Sequence, residues 1–324
     1  MREIHDEIER RGPIPFARFM ELALYHPERG YYCRARDPFG MAGDYYTNAQ
    51  LQPVFGRLIA AQMRTWREEL GVGDFTVVEL GAGRGETAQV VREALPGVPY
   101  LEVERQRGEL PERVRGVVFS NEFFDALPVH VARWDGERWR ERYVGLNGER
   151  FCWVEGELSG RSVEEYLERY APAPEAGEVA EAGIEALRWM ERIAGCLERG
   201  YVLAIDYGYT SDERRRFPAG SLMGYCRHSA VEDVLAEPGE RDITAHVAFT
   251  PLVERAEELG LRALPIESQE RFLLAVGERD QFASALAASG EQEAHRRRMT
   301  LKTLLYGMGE TFRVVVLRRT EDTK

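Results

Sequence analysis

The segment ValValGluLeuGlyAlaGlyArgGly, residues 77–85, constrains this chain more than any other. It begins inside a short apolar run, PheThrValValGluLeu at 75–80. A run that short, rich in β-branched residues and apolar at successive positions, reads as a strand buried on both faces of a parallel sheet. It breaks into a turn with glycine at every second place: Gly81, Gly83 and Gly85. Glycine lets the backbone turn tightly and lets a ligand approach the main chain. A helix is expected over 86–95, closed by Pro96 and Gly97. Its first N–H groups have no partner within the helix and face the turn.

The later segments repeat the alternation. Val98 to Glu104, Gly116 to Ser120, Tyr201 to Asp206 and Phe312 to Arg318 read as strands, with a helix from about Val179 to Glu198 before the fourth strand of the series. Strands alternating with helices imply an α/β fold with a doubly wound, mostly parallel sheet. Residues 1–70 read as a helical N-terminal lobe. Its best helix runs from about Gln50 to Leu70, with Leu51, Val54, Phe55, Leu58, Ile59, Met63 and Trp66 three and four apart. Residues 71–324 then form the main domain, with insertions at about 131–178 and 207–245. Asp135–Gly136 sits between strand-like residues in 131–155 and predicts a β-hairpin. The Gly-, Glu- and Pro-rich stretch 156–178 is expected to be an exposed excursion, and 207–245 a long functional loop.

Two ligand classes use such a glycine turn. A dinucleotide site wants a third glycine three places after the second, where this chain has Glu86, a carboxylate at the helix start where a pyrophosphate would lie. The other form carries an acid two residues before the first glycine, and Glu79 holds that place. An acid there suits a ligand with a cationic sulfonium and an ammonium group. The pattern resembles the first motif of class I methyltransferases, whose Rossmann-like domain binds S-adenosylmethionine. A second carboxylate about twenty residues on can hold a ribose diol. Glu104 lies nineteen residues after Gly85 and is preferred for that role over Glu102, two residues earlier on the same strand.

Ligands of open α/β sheets sit beyond the carboxyl ends of the strands. Asn121, Glu122 and Asp125 follow the third strand and AspTyrGlyTyr, 206–209, follows the fourth. Methyl transfer from a sulfonium needs a nucleophile held on the methyl axis and able to shed a proton. A guanidinium stays protonated in water, and paired carboxylates can bind it and localise its charge. Glu122 and Asp125, three apart, share a face if that segment is helical. The other reading makes Asp125 a helix cap and Glu122 a ligand-orienting residue. His246, in AspIleThrAlaHisVal at 242–247, is a candidate base or orienting group, ahead of His130.

Over nearly its whole length the chain resembles the MidA-type methyltransferases. The residues that carry the resemblance are GlyProIleProPheAlaArgPheMet (12–20), TyrHisProGluArgGlyTyrTyr (25–32), GlyAspTyrTyrThr (43–47), the glycine turn at 79–85, AsnGluPhePheAspAlaLeuPro (121–128), IleAspTyrGlyTyr (205–209), AspIleThrAlaHisVal (242–247) and MetGlyGluThrPheArgVal (308–314). The resemblance implies a class I fold with a helical N-terminal extension and S-adenosylmethionine binding. For the family's mitochondrial member it also implies symmetric dimethylation of an arginine on a complex I subunit. The partner implied here is a protein substrate, of respiratory-complex type, and a homodimer is compatible with it. The cofactor residues would be Glu79, Gly81, Gly83, Gly85 and Glu104, with Asn121 and Glu122 nearby. Asp44 and Thr47 would close over the cofactor or line the substrate channel. One departure is visible: between Glu104 and Val117 only twelve residues stand where a helix and a further strand are normally found.

Composition narrows the alternatives. The chain has 324 residues, 44% hydrophobic and 30% charged, an ordinary globular balance. Its net charge of -12 speaks against a nucleic-acid binder. The N-terminal MetArgGluIleHisAspGluIleGlu lacks an apolar secretion segment, no run suits a membrane span, and a cytoplasmic protein is expected. Cys33, Cys152, Cys196 and Cys226 form no CxxC pair and no zinc-like spacing, so buried thiols and no metal are expected. ArgArgArg at 296–298 reads as a solvated helix face. The competing functions are a small-molecule methyltransferase, a nicotinamide-dependent oxidoreductase, which Glu86 opposes, and a non-catalytic assembly factor.

Overall fold

A computed structural model describes residues 1–33, 51–106, 108–226, 229–307 and 311–320. The chain folds as two compact units: one of residues 1–46, 124–188 and 209–251, the other of 47–123, 189–208 and 252–324. Among the described residues, no helix is long and apolar enough to cross a membrane.

The second unit carries the sheet. Helix α1 (Val54–Leu70) precedes strand β1 (Thr76–Leu80), helix α2 (Glu86–Ala94), β2 (Tyr100–Val103), β3 (Val114–Asn121), β4 (Leu197–Tyr209) and β5 (Phe312–Arg319). Across the sheet the order is β5-β4-β3-β1-β2, with Arg262–Ala263 outside β5. β1 is parallel to β2 and β3, β3 is parallel to β4, and β5 is antiparallel to β4. The mostly parallel, doubly wound sheet is therefore present. From β1 the chain steps to β2 on one side and β3 on the other, so the order reverses at β1. Ligands of such sheets bind beyond the strand ends at this point.

β1 is buried along Val77–Leu80, as a strand covered on both faces must be. The apolar stripe of α1 packs into the core of this same unit, where Leu58, Ile59, Met63 and Trp66 join Val77, Val91 and Leu203. Trp66 stacks on Tyr201 with ring centroids 4.4 Å apart. This helix, expected within the N-terminal lobe, thus belongs with the sheet, because its buried partners are there. Between β2 and β3 the described residues hold no helix or strand, and β2 ends the sheet. The missing helix and strand noted in the sequence are absent among these residues.

The first unit packs Arg2–Arg11 and Phe16–Tyr25 over an antiparallel sheet. Ile14–Pro15, Trp139–Asn147, His130–Trp134 and Val179–Ala182 follow one another across it, and Arg150–Gly156 pairs with Trp139–Asn147. Phe16, Phe19, Met20, Val131 and Val144 share its core. The hairpin turns at Asp135–Gly136 as expected: Asp135 Oδ1 accepts the N–H groups of Glu137 and Arg138, and Gly136 takes φ 111.

Three segments differ from expectation. The helix placed from Val179 starts only at Ile184, because Val179–Ala182 pairs with His130–Arg133 as a strand and Gly183 separates the two. The stretch 156–178 is not simply an exposed excursion, since helix Arg161–Tyr170 buries Val163, Tyr166 and Leu167. The long 207–245 segment is structured: Ser229–Val231, Met223–Cys226 and Asp242–Thr244 form a three-stranded sheet. Cys196 is buried as expected, whereas Cys33 and Cys152 are half-buried.

Candidate functional site

The glycine turn lies at the carboxyl end of β1. Gly81, Gly83 and Gly85 take φ of 68, 57 and 72, in the left-handed region that favours glycine. Close packing adds a second demand at two of them. A Cβ on Gly81 would meet Cδ2 of Phe123 at 2.9 Å, and one on Gly85 would meet Oε2 of Glu102 at 3.3 Å. The Gly81 N–H donates to the Val103 carbonyl at 2.9 Å, tying the turn to the end of β2. Gly85 is the N-cap of α2, which starts with the acid Glu86. An acid in the first turn complements the helix dipole and disfavours a pyrophosphate in the same place.

Two carboxylates flank the turn. Glu79 is buried in β1, and Tyr100 Oη donates to its Oε2 at 2.8 Å. Burial pushes Glu79 up to about 7, with Glu102 and Glu104 adding to the rise and the Tyr100 hydroxyl and Arg92 opposing it. Burial, followed by the Glu79 charge, holds the Tyr100 phenol well above its ordinary value. Glu104 is half-buried just beyond β2, and its Oε1 accepts the Gly83 N–H at 2.9 Å. Glu102, the alternative diol ligand, instead pairs with Arg92 at 2.6 Å. The Glu104 carboxylate is thus fixed against the turn, while that of Glu102 is engaged with α2.

These features fit S-adenosylmethionine. The turn has no room for side chains at Gly81, a buried acid stands before it, and a carboxylate able to accept several hydrogen bonds is anchored to its middle glycine. Glu79, Gly81, Gly83, Gly85 and Glu104 would hold the cofactor.

The corner after β3 meets the same turn through the Phe123 ring. Glu122 adopts φ 54, and its N–H donates to the Ile205 carbonyl at 2.9 Å. Asn121 Nδ2 donates to Glu122 Oε1 at 2.8 Å, which sets the carboxylate. The Phe123 N–H donates to Oδ2 of the fully buried Asp206 at 3.1 Å, and Phe123 meets Trp189 edge to face. The segment is therefore not helical, and the shared helical face proposed for Glu122 and Asp125 does not exist. A left-handed residue cannot continue a right-handed helix.

Asp125 and His246 lie in the first unit. The Asp125 carbonyl accepts the Ala245 N–H at 2.9 Å, so the chain beside His246 is bonded to Asp125. His246 donates its own N–H to Ser221 Oγ at 2.9 Å, and Phe217 meets its ring edge-on. Burial lowers the His246 pKa and keeps the imidazole neutral near pH 7. His130 pairs instead with the fully buried Glu141 at 2.8 Å, and Ser159 approaches the same ring nitrogen. A Ser–His–acid relay needs the two ring nitrogens to face different partners, so this group does not form one. Asp44 and Thr47 lie outside the described residues.

Sequence reasoning gave Tyr100 no place in the site, and named Phe123 and Asp206 only as members of the segments that follow the third and fourth strands. Asp206 stood inside the AspTyrGlyTyr rim, and an acid ending an otherwise apolar strand is itself a signal. Tyr100 shares with Glu102 a strand that ends one residue short of Glu104, but nothing in the sequence points it at Glu79.

Comparison with known proteins agrees with this geometry. Residues 98–266 match the model of a family of S-adenosyl-L-methionine-dependent methyltransferases. A crystal structure of a protein from Burkholderia thailandensis bound to S-adenosyl-homocysteine is similar to the chain at TM-score 0.89. The two are 31% identical, with 99% of this chain and 92% of that one covered. The mitochondrial protein arginine methyltransferase NDUFAF7 of Homo sapiens is 26% identical over 98% of this chain and 82% of its own length. The homologue in Drosophila melanogaster is 29% identical over 80% of this chain and 70% of its own. The chain belongs to the S-adenosyl-L-methionine-dependent methyltransferase family.

Proposed function

We propose that this methyltransferase acts on arginine side chains of a protein partner. The observation that carries the proposal is the Asn121–Glu122 corner. A carboxylate held by its neighbour's amide is set beside the residue whose ring packs on the glycine turn. The relatives named as protein arginine methyltransferases support it. The partner implied by the resemblance, a respiratory-complex-type subunit, is part of the same proposal.

S-adenosylmethionine, when bound, supplies an electrophilic methyl group on a sulfonium. Glu122 accepts the guanidinium N–H groups and draws the positive charge toward the nitrogens it binds, which leaves another nitrogen richer in electron density. Asn121 keeps the carboxylate from rotating. Phe123 and Trp189 form a buried apolar wall behind the corner and strengthen that ion pair by excluding water. Asp125 and His246, the other candidates from the sequence, belong to the first unit and carry no step of this proposal.

The test is incubation of the purified chain with methyl-labelled S-adenosylmethionine and a protein extract, followed by acid hydrolysis of the protein fraction. Label recovered as methylarginine, and lost with Glu122→Gln, supports the proposal. Label found only in small molecules or in another amino acid overturns it.

A further inference from the structure

We propose that Glu79 and Tyr100 make the glycine-turn cradle discriminate by charge, holding cationic S-adenosylmethionine more tightly than neutral S-adenosylhomocysteine through a proton that Glu79 gives up and takes back. The inference rests on the cofactor assignment above and goes beyond it.

Charge imbalance is built into the cradle. Three carboxylates, Glu79, Glu102 and Glu104, gather at the ends of β1 and β2. Glu79 and Glu102 are register partners across those strands. Glu104 is bonded to Gly83 in the turn. Among the described residues, Arg92 of α2 acts on Glu79, and its guanidinium is bonded to Glu102 at 2.6 Å. The neighbouring Arg84 lies 3.6 Å from Glu86. Glu79 is the buried member of this group, and its Oε2 accepts a hydrogen bond from a neutral hydroxyl, Tyr100 Oη, at 2.8 Å. A buried carboxylate facing two like charges and a phenol is poised between its charged and neutral forms near pH 7.

A cation brought to this cradle favours the ionised form, so its binding expels the Glu79 proton whenever the group is protonated. Methyl transfer breaks the carbon–sulfur bond and forms a carbon–nitrogen bond. The bonding pair stays on sulfur, which becomes a neutral thioether, and the acceptor nitrogen releases its proton. With the sulfonium gone, Glu79 regains a proton from solvent and the cradle loses its preference for what it holds. Product release is thereby coupled to loss of the positive charge. The Tyr100 hydroxyl sets the pH at which this happens, because it stabilises the carboxylate.

Calorimetric titration of the whole chain with each ligand at pH 6, 7 and 8, in two buffers of different ionisation enthalpy, tests the proposal. Affinity for S-adenosylmethionine relative to S-adenosylhomocysteine is expected to rise about tenfold from pH 6 to pH 8. Close to one proton should be released per S-adenosylmethionine bound at pH 6, and few at pH 8. Glu79→Gln, in which any titration of the ligands themselves persists, should lose that rise and that release. Tyr100→Phe should move the rise to higher pH. Equal pH dependence in wild type and Glu79→Gln, with both ligands bound, overturns the proposal alone. Failure of folded wild type to bind either ligand overturns the cradle assignment and the proposal together.

Discussion

Asp206 Oδ2 accepts the backbone N–H of Phe123 at 3.1 Å, while its other carboxylate oxygen accepts the N–H of Tyr207 at 2.9 Å. A fully buried acid at the end of β4 thus holds the corner that carries Glu122 at the end of β3. Two backbone donors need two acceptors, which a carboxylate offers and an amide does not.

Asp206→Asn turns one of those oxygens into a donor aimed at a donor. The expected cost is about 1–3 kcal/mol of folding free energy, the price of an unsatisfied buried pair. Urea unfolding measures it. Methyl transfer should fall together with stability, and Asp206→Glu should rescue neither.

Glu104 Oε1 accepts the Gly83 N–H at a half-buried place, so Glu104→Ala leaves a donor that water can reach. Stability should change by less than about 1 kcal/mol. Affinity for S-adenosylmethionine should drop roughly ten- to hundredfold, in proportion to the loss of charged hydrogen bonds to a ribose diol. The pair of measurements separates a ligand-binding carboxylate from a loop-holding one.

Glu79 makes the ligand-free protein less stable as pH rises. Its folded pKa of about 7 lies above the ordinary 4.5, so the folded state binds the proton more tightly than the unfolded chain. The stability this provides is complete below pH 4.5 and is lost as pH rises through about 7. The loss is at most about 3 kcal/mol. Thermal melts of wild type minus Glu79→Gln across pH 4 to 8 should show this slope, falling with pH. A difference that is flat or rises with pH contradicts it.

Much of this site was legible because its demands are local. Left-handed glycines, an acid two places earlier and a carboxylate beyond the next strand are all set by backbone geometry within one β-α-β unit, and Glu79, Gly81, Gly83, Gly85 and Glu104 lie where that geometry requires. What escaped the sequence depends on partners far along the chain. Asp206 reaches Phe123 and Tyr100 reaches Glu79 only once the strands are paired. The spacing of Glu122 and Asp125 implied a helix, but the corner is set by the Ile205 and Asp206 contacts, and they place Glu122 in the left-handed region. Val179–Ala182 likewise has helical residues by propensity, and pairing with His130–Arg133 makes it a strand.

The most direct test of the account is calorimetric titration of wild type and Gly81→Ala with S-adenosylmethionine. Gly81 combines φ 68 with a Cβ position 2.9 Å from the Phe123 ring, so even a methyl group must distort the turn or the corner behind it. Saturable binding at one site per chain, lost in a variant that remains folded, is the predicted result. Equal binding by both proteins, or none by wild type, would contradict the assignment of this turn as the cofactor cradle.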